Sequence, residues 1–309
     1  MNFFKPKFWA KNKISFFSIL LFPITLIIKL LSLFKYKITK INTCSIPVFC
    51  VGNIYLGGTG KTPLCVEIFK ILKYLGMNPV FIRKKYNSFQ DEVSLQKQTG
   101  PVYENKKRTK AIKDAIQNKA DIVILDDGFQ DFSIYKNFSI ICFNEKQWIG
   151  NGFTIPSGPL REDISALKRA NCAIINGKKN TNIENKILGE NKEIKIFYTK
   201  YIFENTKNIE NKKVTAFAGI GNPENFFSLL KDNNIDVVEQ IEFPDHYNYS
   251  KKELENLINK AKKNNTILVT TEKDYFRIDE MYKQKINCVK ILVKIQNRNQ
   301  FIEEIKKFI

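Results

Sequence analysis

A glycine-rich segment that ends in lysine and threonine is the strongest chemical signal in this sequence. An apolar run at 48–51 precedes it, and the segment contains Gly57, Gly58, Thr59, Gly60, Lys61 and Thr62. This order of strand, glycine loop and helix is typical of a P-loop, whose backbone N–H groups surround phosphate oxygens at a helix start. Lys61 would reach the β- and γ-phosphates of a nucleotide, and the Thr62 hydroxyl would bind Mg²⁺. The full pattern has a glycine where Tyr55 stands, so a glycine-rich turn before an ordinary helix is the alternative.

Two adjacent carboxylates end a second apolar run. The segment 121–127 predicts a buried strand whose last residues are Asp126 and Asp127. In P-loop enzymes such a strand brings an acid to the Mg²⁺ beside the phosphates. Many α/β strands end in Asp, but downstream of a P-loop the pattern favours a metal site formed by Thr62, Asp126 and Asp127.

An arginine and a histidine could complete such a site. Arg161 ends a loop predicted at 150–161 and could stabilise charge on a transferring phosphoryl group, although a surface ion pair is the alternative. His246 is the only histidine of the chain, which excludes a multi-histidine metal site. It lies between Asp245 and Tyr247 after a predicted strand. A neighbouring carboxylate could make it part of a proton-accepting site, and a packing or surface residue is the alternative.

Composition limits the class of protein. The chain has 309 residues and a formal charge of +19, which suits an anionic membrane surface, a phosphorylated substrate or nucleic acid. An AT-rich genome would also enrich Lys, Asn and Ile together. Dense basic blocks with interleaved aromatics are absent from the sequence, so nucleic acid is not favoured, and no protein partner is indicated. The six cysteines form no C-x-x-C pair and predict reduced thiols of a cytosolic protein.

Residues 14–34 are almost wholly apolar, and about 20 such residues span a bilayer. Lysines flank the segment on both sides, so the charge pattern indicates no orientation. No small-residue cleavage site follows, which argues against a secretory signal. Pro23 and Lys29 also disfavour a straight span. We predict a helix in or on the inner leaflet, with its lysines on anionic headgroups, and a buried helix of the soluble core is the alternative.

The remaining pattern alternates strands and helices, which predicts a mainly parallel α/β sheet. Strands are predicted at 46–51, 79–83, 121–127, 138–143, 172–176, 194–203, 214–220, 236–243, 266–270 and 289–295, and helices at 63–75, 106–119 and 251–263. The segment 84–100 is predicted as a polar loop. We expect an N-terminal membrane-associated helix at 1–41, a P-loop NTPase-like nucleotide lobe at 42–176, a connector at 177–212 and a second, smaller α/β lobe at 213–309. Ligands of such sheets bind at the carboxyl ends of the strands.

The motifs in this order resemble the tetraacyldisaccharide 4′-kinase family, the lipid A 4′-kinases of Gram-negative bacteria. They are Gly-Gly-Thr-Gly-Lys-Thr-Pro at 57–63, Asp-Asp-Gly-Phe-Gln at 126–130, Gly-Pro-Leu-Arg-Glu at 158–162, Gly-Ile-Gly-Asn-Pro at 219–223, Asp-His-Tyr at 245–247 and Thr-Glu-Lys-Asp at 271–274. The resemblance covers nearly the whole chain. It implies transfer of the γ-phosphoryl group of ATP, with Mg²⁺, to the 4′-hydroxyl of tetraacyldisaccharide 1-phosphate, giving lipid IVA at the cytoplasmic face of the inner membrane.

The resemblance also implies roles for individual residues. Lys61 and Thr62 match the family's phosphate and Mg²⁺ residues, and Asp126 and Asp127 match its acidic pair. Gln130 matches its active-site glutamine, and Arg161 and Glu162 match its Arg-Glu pair.

Asp91 matches the acid that works with the histidine at His246 to activate the acceptor hydroxyl. The family's Ser-Arg-Gly-Tyr is Arg-Lys-Lys-Tyr at 83–86 here, and its Gly-Asp-Glu-Pro is Gln-Asp-Glu-Val at 90–93.

Two other classes of protein remain as alternatives. A membrane-associated P-loop switch ATPase shares the glycine loop, but it usually has a second lysine where this chain has Leu56, and it has no use for Asp91 with His246. A soluble small-molecule kinase would leave the apolar segment 14–34 without a purpose.

Overall fold

The computed structural model describes residues 6–9, 14–85, 90–204 and 208–309, without the side chains of 90–92. The described residues form two compact units. The larger one comprises those of Lys5–Tyr86, Thr99–Lys200 and Lys294–Ile309, and the smaller one comprises chiefly those of Asn87–Gln98 and Tyr201–Val293. The lobe boundaries expected at residues 41, 176 and 212 stay predictions.

The larger sheet has eight strands in the order β12-β7-β6-β5-β1-β4-β2-β3. Its strands are β1 (Val48–Gly52), β2 (Pro79–Lys84), β3 (Val102–Asn105), β4 (Ile122–Asp126), β5 (Phe138–Asn144), β6 (Cys172–Asn176), β7 (Lys195–Phe203) and β12 (Ile291–Ile295). The helices of this part of the chain are α1 (Phe16–Ile38), α2 (Lys61–Tyr74), α4 (Arg108–Gln117), α5 (Thr181–Glu190) and α10 (Arg298–Lys306). The neighbouring pairs from β3 to β7 are parallel, which confirms the predicted fold class.

Continuous apolar runs build the centre of this sheet because both of its faces are covered. Every residue of β1, β4 and β5 is buried. In the register of β1 and β4, Val51 lies opposite Asp126. The loop that follows β1 and the carboxylates that end β4 therefore meet at one edge of the sheet.

Helix α2 begins at Lys61, directly after the glycine loop. Gly60 precedes it with φ of 90°, a left-handed conformation that residues with a Cβ rarely adopt. The helix ends at Tyr74, and Gly76 follows with φ of 82°, as the stop signal predicted. The P-loop order of strand, glycine turn and helix is thus present.

The smaller unit is built on a four-stranded parallel sheet in the order β11-β10-β8-β9. Its strands are β8 (Lys213–Ala218), β9 (Asp236–Glu242), β10 (Ile267–Thr271) and β11 (Asn287–Val289). Its helices are α3 (Gln90–Lys97), α6 (Pro223–Asp232), α7 (Lys251–Lys263), α8 (Glu272–Phe276) and α9 (Glu280–Lys283). Ser250 caps α7 in a capping box with Glu253, as its position before the helix indicated.

Several segments differ from the sequence-based expectation, among them the expected connector 177–212, in which α5 forms. The stretch 84–100 is not a loop throughout, because α3 forms within it and packs against α8. Strand β3 was not predicted, since its four residues are only half-buried at the edge of the sheet. The segment 289–295 is two short strands, β11 and β12, in different sheets.

Helix α1 is long and apolar enough to cross a membrane by length and composition alone. Of its residues only Ser18 and Thr25 are buried, so α1 is not a buried helix of the core. It continues without a break through Pro23. The six cysteines form no disulfide, as predicted, and burial raises the pKa of the Cys50 and Cys142 thiols to about 12.

Candidate phosphoryl-transfer site

Asn53 shapes the turn between β1 and the glycine loop. Its side chain is fully buried, and its amide donates to the carbonyl of Gly57 at 3.1 Å and to the Thr59 hydroxyl at 3.0 Å. Tyr55, which replaces a glycine of the full pattern, is buried and pairs with Leu160 in a short antiparallel bridge. These interactions of Asn53 and Tyr55 restrain the backbone of the loop that follows β1.

Thr62 and Asp126 meet at the start of α2. The Thr62 hydroxyl donates to Asp126 Oδ2 at 3.2 Å, and Arg83 Nη1 donates to the same oxygen at 2.8 Å. The side chain of Asp126 is fully buried and that of Arg83 is 9% exposed. A buried carboxylate is stable only with such partners. Arg83 is the second-to-last residue of β2, the strand beside β4, and this adjacency could have identified it as the partner of Asp126.

Asp127 lies between two cations. Arg161 Nη1 contacts both of its carboxylate oxygens, at 2.8 and 2.9 Å, and Lys61 Nζ lies 3.6 Å from Oδ1. Asp127 has φ of 54°, an uncommon conformation for a residue other than glycine. Its backbone carbonyl accepts from Arg108 Nη2 at 2.8 Å. The two positive side chains that the sequence predicted for phosphate therefore converge on one carboxylate.

Gln130 and Glu162 are hydrogen-bonded to each other. Gln130 Nε2 donates to Glu162 Oε1 at 3.0 Å and to the carbonyl of Asn53 at 2.9 Å. Arg169 forms an ion pair with Glu162, and its guanidinium lies 4.5 Å from the ring centroid of Phe129. Burial raises the pKa of Glu162, although Arg169 and Gln130 favour its charged form. Arg169 thus fixes the position of Glu162 and, through it, that of Gln130. Its position in the sequence did not indicate this role.

The donor set suits a magnesium ion bound to a nucleotide. Thr62 supplies a hydroxyl, and Asp126 and Asp127 supply carboxylates at one sheet edge. Among the described residues there is no cluster of three or more acidic, histidine or cysteine side chains that could hold a metal by itself. Mg²⁺ is commonly held by one or two carboxylates together with substrate phosphates and water, so such a cluster is not required.

His246 lies in the smaller unit, after β9. The backbone N–H of His246 donates to the carbonyl of Gly219 at 3.0 Å, and its φ is 57°. The imidazole Nε2 lies 3.8 Å from Asp245 Oδ1. The imidazole is partly exposed, so it is accessible to a ligand. Asp91 lies on α3 of the same unit, and its side chain falls outside the described residues.

Within the larger unit the structure brings together Lys61, Thr62, Asp126, Asp127 and Arg161, and it joins Gln130 to Glu162. The sequence reasoning missed Asn53, Arg83, Arg108 and Arg169. Asn53 stands directly after a buried strand and before a glycine loop, which is the signal that could have identified it.

Comparison with known proteins identifies relatives of this chain. A family model described as tetraacyldisaccharide-1-P 4′-kinase matches residues 17–99 and 89–309. A tetraacyldisaccharide 4′-kinase of Pelagibacter ubique is 40% identical over 310 residues, which cover 99% of this chain and 98% of that protein. One of Rickettsia akari is 34% identical over 320 residues, covering 98% and 96%.

A solved structure is also similar to this chain. It is described as the "apo" form of LpxK from Aquifex aeolicus in complex with ATP. Its TM-score is 0.72 and its identity 21%, and the match covers 94% of this chain and 99% of that one. At that identity the likeness supports the α/β fold.

Proposed function

The chain belongs to the tetraacyldisaccharide-1-P 4′-kinase family, and we propose that it transfers the γ-phosphoryl group of ATP to the 4′-hydroxyl of a tetraacyldisaccharide 1-phosphate. The observation that carries this proposal is the convergence of Lys61 and Arg161 on Asp127 beside the Thr62–Asp126 pair. Phosphoryl transfer depends mainly on positioning and charge neutralisation. This cluster supplies both at the start of the P-loop helix.

In the proposed complex the β- and γ-phosphates lie along the P-loop from Gly57 to Thr62. The backbone N–H groups at the start of α2 would bind the phosphate oxygens, and Lys61 would neutralise them. Lys61 and Arg161 both contact Asp127 in this structure. When the nucleotide binds, phosphate oxygens would replace some of these contacts. Gln130 and Glu162 would contact the rest of the nucleotide.

Thr62, Asp126 and Asp127 would hold a Mg²⁺ ion with the phosphates. When bound, the ion neutralises charge on the β- and γ-phosphates. Arg83 holds Asp126 in its position through Oδ2, so this carboxylate would need little reorganisation when the nucleotide binds.

Asp91 and His246 would serve the acceptor. The 4′-hydroxyl oxygen forms a bond to the γ-phosphorus while the bond to the β–γ bridging oxygen breaks, and ADP leaves. The hydroxyl proton passes to the pair of Asp91 and His246, which the family resemblance assigns to activation of the acceptor hydroxyl. The partial exposure of His246 supports this role, because the acceptor must reach it from solvent or lipid.

Helix α1 would hold the enzyme at the cytoplasmic face of the inner membrane. Most of its large apolar side chains are exposed, which is unfavourable in water and favourable in a lipid leaflet. The acceptor is itself a lipid, so membrane binding brings enzyme and acceptor together.

The test is phosphate transfer from γ-labelled ATP to tetraacyldisaccharide 1-phosphate in detergent micelles with Mg²⁺. Wild type should label the lipid, Lys61→Ala should abolish labelling, and His246→Ala should strongly reduce it. Lys70→Ala, on the same helix as Lys61, is the matched control and should retain activity. Hydrolysis of ATP without labelled lipid would refute the kinase assignment and favour a switch ATPase.

A further inference from the structure

Helix α1 contacts the rest of the larger unit with Ser18, Thr25 and Lys29. The rings of Phe22 and Tyr36 also pack there, on Phe153 and Phe132. Ser18 and Thr25 are 0% and 3% exposed and lie two turns apart, so they share one face. Lys29 follows one turn later on that face. Most of the large apolar side chains of the helix are exposed, with Phe17, Leu20, Ile27, Leu30 and Leu31 among them. A surface helix of a water-soluble protein shows the opposite distribution.

The polar face binds the loop at 151–163, here called the arginine loop. The Thr25 hydroxyl lies 2.8 Å from Ser157 Oγ and 3.3 Å from the carbonyl of Thr154. It also accepts from the backbone N–H of Ser157 at 3.2 Å. Asn151 donates its amide to Ser18 Oγ at 3.1 Å. Ser157 is fully buried, so these bonds are made away from water.

Lys29 forms an ion pair with the arginine loop. Its Nζ lies 2.5 Å from Asp163 Oδ2. Asp163 comes two residues after Arg161 and directly after Glu162. A lysine inside an apolar helix, which disfavoured a straight span in the sequence, thus has a defined partner beside the site.

The arginine loop also binds the segment that leads into the P-loop. The N–H of Leu56 donates to the carbonyl of Pro159 at 2.8 Å, and the N–H of Arg161 donates to the carbonyl of Ile54 at 2.7 Å. The backbone packs closely at Gly158, because a Cβ there would lie 2.4 Å from the carbonyl oxygen of Phe153. The arginine loop therefore lies between α1 and the nucleotide site.

We propose that α1 is a positioning element of the phosphoryl-transfer site, in which Thr25 and Lys29 hold Arg161 in place through Ser157 and Asp163. This inference rests on the proposed function, since it assigns Arg161 to the transferring phosphate. It separates two roles of the helix. The exposed apolar surface binds lipid, and the polar face fixes the geometry of the site.

The two roles predict different kinetics. A change in membrane binding alters KM for the lipid acceptor, because it alters access to the micelle or bilayer. A displacement of Arg161 lowers kcat, since the interaction with the transferring phosphoryl group is strongest in the transition state.

The experiment compares Thr25→Val with Thr25→Ser in the full-length enzyme, assayed in mixed micelles with the lipid acceptor and Mg²⁺–ATP. Valine has the shape of threonine without the hydroxyl, and serine keeps the hydroxyl. We expect Thr25→Val to lower kcat by about tenfold with KM for the lipid unchanged, and Thr25→Ser to stay within about twofold of wild type.

Thr39→Val is the matched control. The Thr39 hydroxyl bonds only within the helix end, to the carbonyl of Lys35 at 2.6 Å, so the same substitution should leave kcat unchanged. All variants should float with anionic phospholipid vesicles to the same extent as wild type. Equal kcat values for Thr25→Val and wild type, or equal losses for Thr25→Val and Thr39→Val, would overturn the inference.

Lys29→Met and Asp163→Asn form a second test that does not depend on Thr25. Each should lower kcat by a similar factor, and the double variant should be no worse than either single one, because both remove the same ion pair. Independent losses that multiply in the double variant would contradict the proposal.

Binding of ATP separates this inference from the proposed function. If wild type fails to label the lipid, the proposed function fails. The positioning role is then judged by the Kd of Mg²⁺–ATP from calorimetry, which Thr25→Val should raise several-fold and Thr39→Val should not. An unchanged Kd in that case would refute the positioning role as well.

Discussion

Tyr249→Phe tests the buried carboxylate that holds the histidine segment of the smaller unit. The Asp274 side chain is fully buried and accepts hydrogen bonds from the Tyr249 hydroxyl at 2.7 Å, the Thr271 hydroxyl at 2.6 Å and the N–H of Gly219 at 3.0 Å. The carbonyl of Gly219 in turn accepts from the N–H of His246. Asp274 thus fixes the backbone to which the histidine is bonded.

The size of the effect follows from the kind of hydrogen bond that is lost. A hydroxyl that donates to a buried charged group contributes about 1.5–3 kcal/mol, so we expect Tyr249→Phe to cost about 2 kcal/mol of opening free energy. Burial raises the pKa of Asp274, and the Tyr249 bond is one of those that oppose this effect, so its loss disfavours the carboxylate further. About 2 kcal/mol corresponds to roughly 30-fold faster amide exchange.

The assay is hydrogen exchange of the intact protein at pH 7, followed by mass spectrometry of peptides that cover β8 and β10. Tryptophan fluorescence is unsuitable, because both tryptophans of the chain, Trp9 and Trp148, belong to the larger unit. Exchange in core strands reports the free energy of the opening that exposes them.

Tyr247→Phe is the control for this prediction. The Tyr247 hydroxyl donates to Glu253 at 2.5 Å near the surface, so the same substitution two residues away should change exchange by less than about threefold. Equally faster amide exchange in the two variants would refute the reasoning. Burial of the accepting carboxylate would then not determine how much free energy the lost hydrogen bond costs. Exchange in β8 within threefold of wild type for Tyr249→Phe would also refute it.

Three further outcomes are expected. Arg161→Lys should lower kcat by at least about 100-fold in the lipid assay, because lysine cannot form the two-pronged contact of a guanidinium. Thr62→Val should raise the Mg²⁺ concentration for half-maximal activity, whereas Thr62→Ser should not. Asp131→Asn should lower the free energy of unfolding at pH 7. Burial raises the pKa of Asp131, but bonds from Ser133 and Arg108 outweigh it and hold the pKa below its usual value. The stability that the Asp131 carboxylate contributes is therefore fully present above the pKa of this group in the unfolded state. It is lost as the pH falls through the pKa in the folded state.

Each of these outcomes has a result that contradicts it. Wild-type kcat in Arg161→Lys would remove that side chain from the transferring phosphate. An unchanged Mg²⁺ requirement in Thr62→Val would exclude its hydroxyl as a metal ligand. A constant stability difference between wild type and Asp131→Asn down to pH 2 would mean that the carboxylate charge is not what stabilises the fold.

Local patterns made much of the fold predictable. The strand at 172–176 has the predicted bounds, and the helix after Ser250 begins and ends at the predicted residues. Apolar runs, capping residues and glycines act on their immediate neighbours. The elements that they define can therefore be predicted from a single sequence. Helix α3 was missed because its polar residues carry little periodicity, and its packing against α8 is a tertiary contact.

The sequence by itself determined which residue types could do chemistry, the P-loop order, the acidic end of β4 and the apolar character of α1. Only the tertiary structure decided which of these side chains meet. Arg83 and Asp126 are 43 residues apart in the chain, and Thr25 and Ser157 are 132 apart. Such pairs depend on which strands are neighbours and on which face of a helix is buried. Periodicity within one segment does not encode the partner of that segment, so packing alone assigns Lys29 to Asp163 and Arg161 to Asp127.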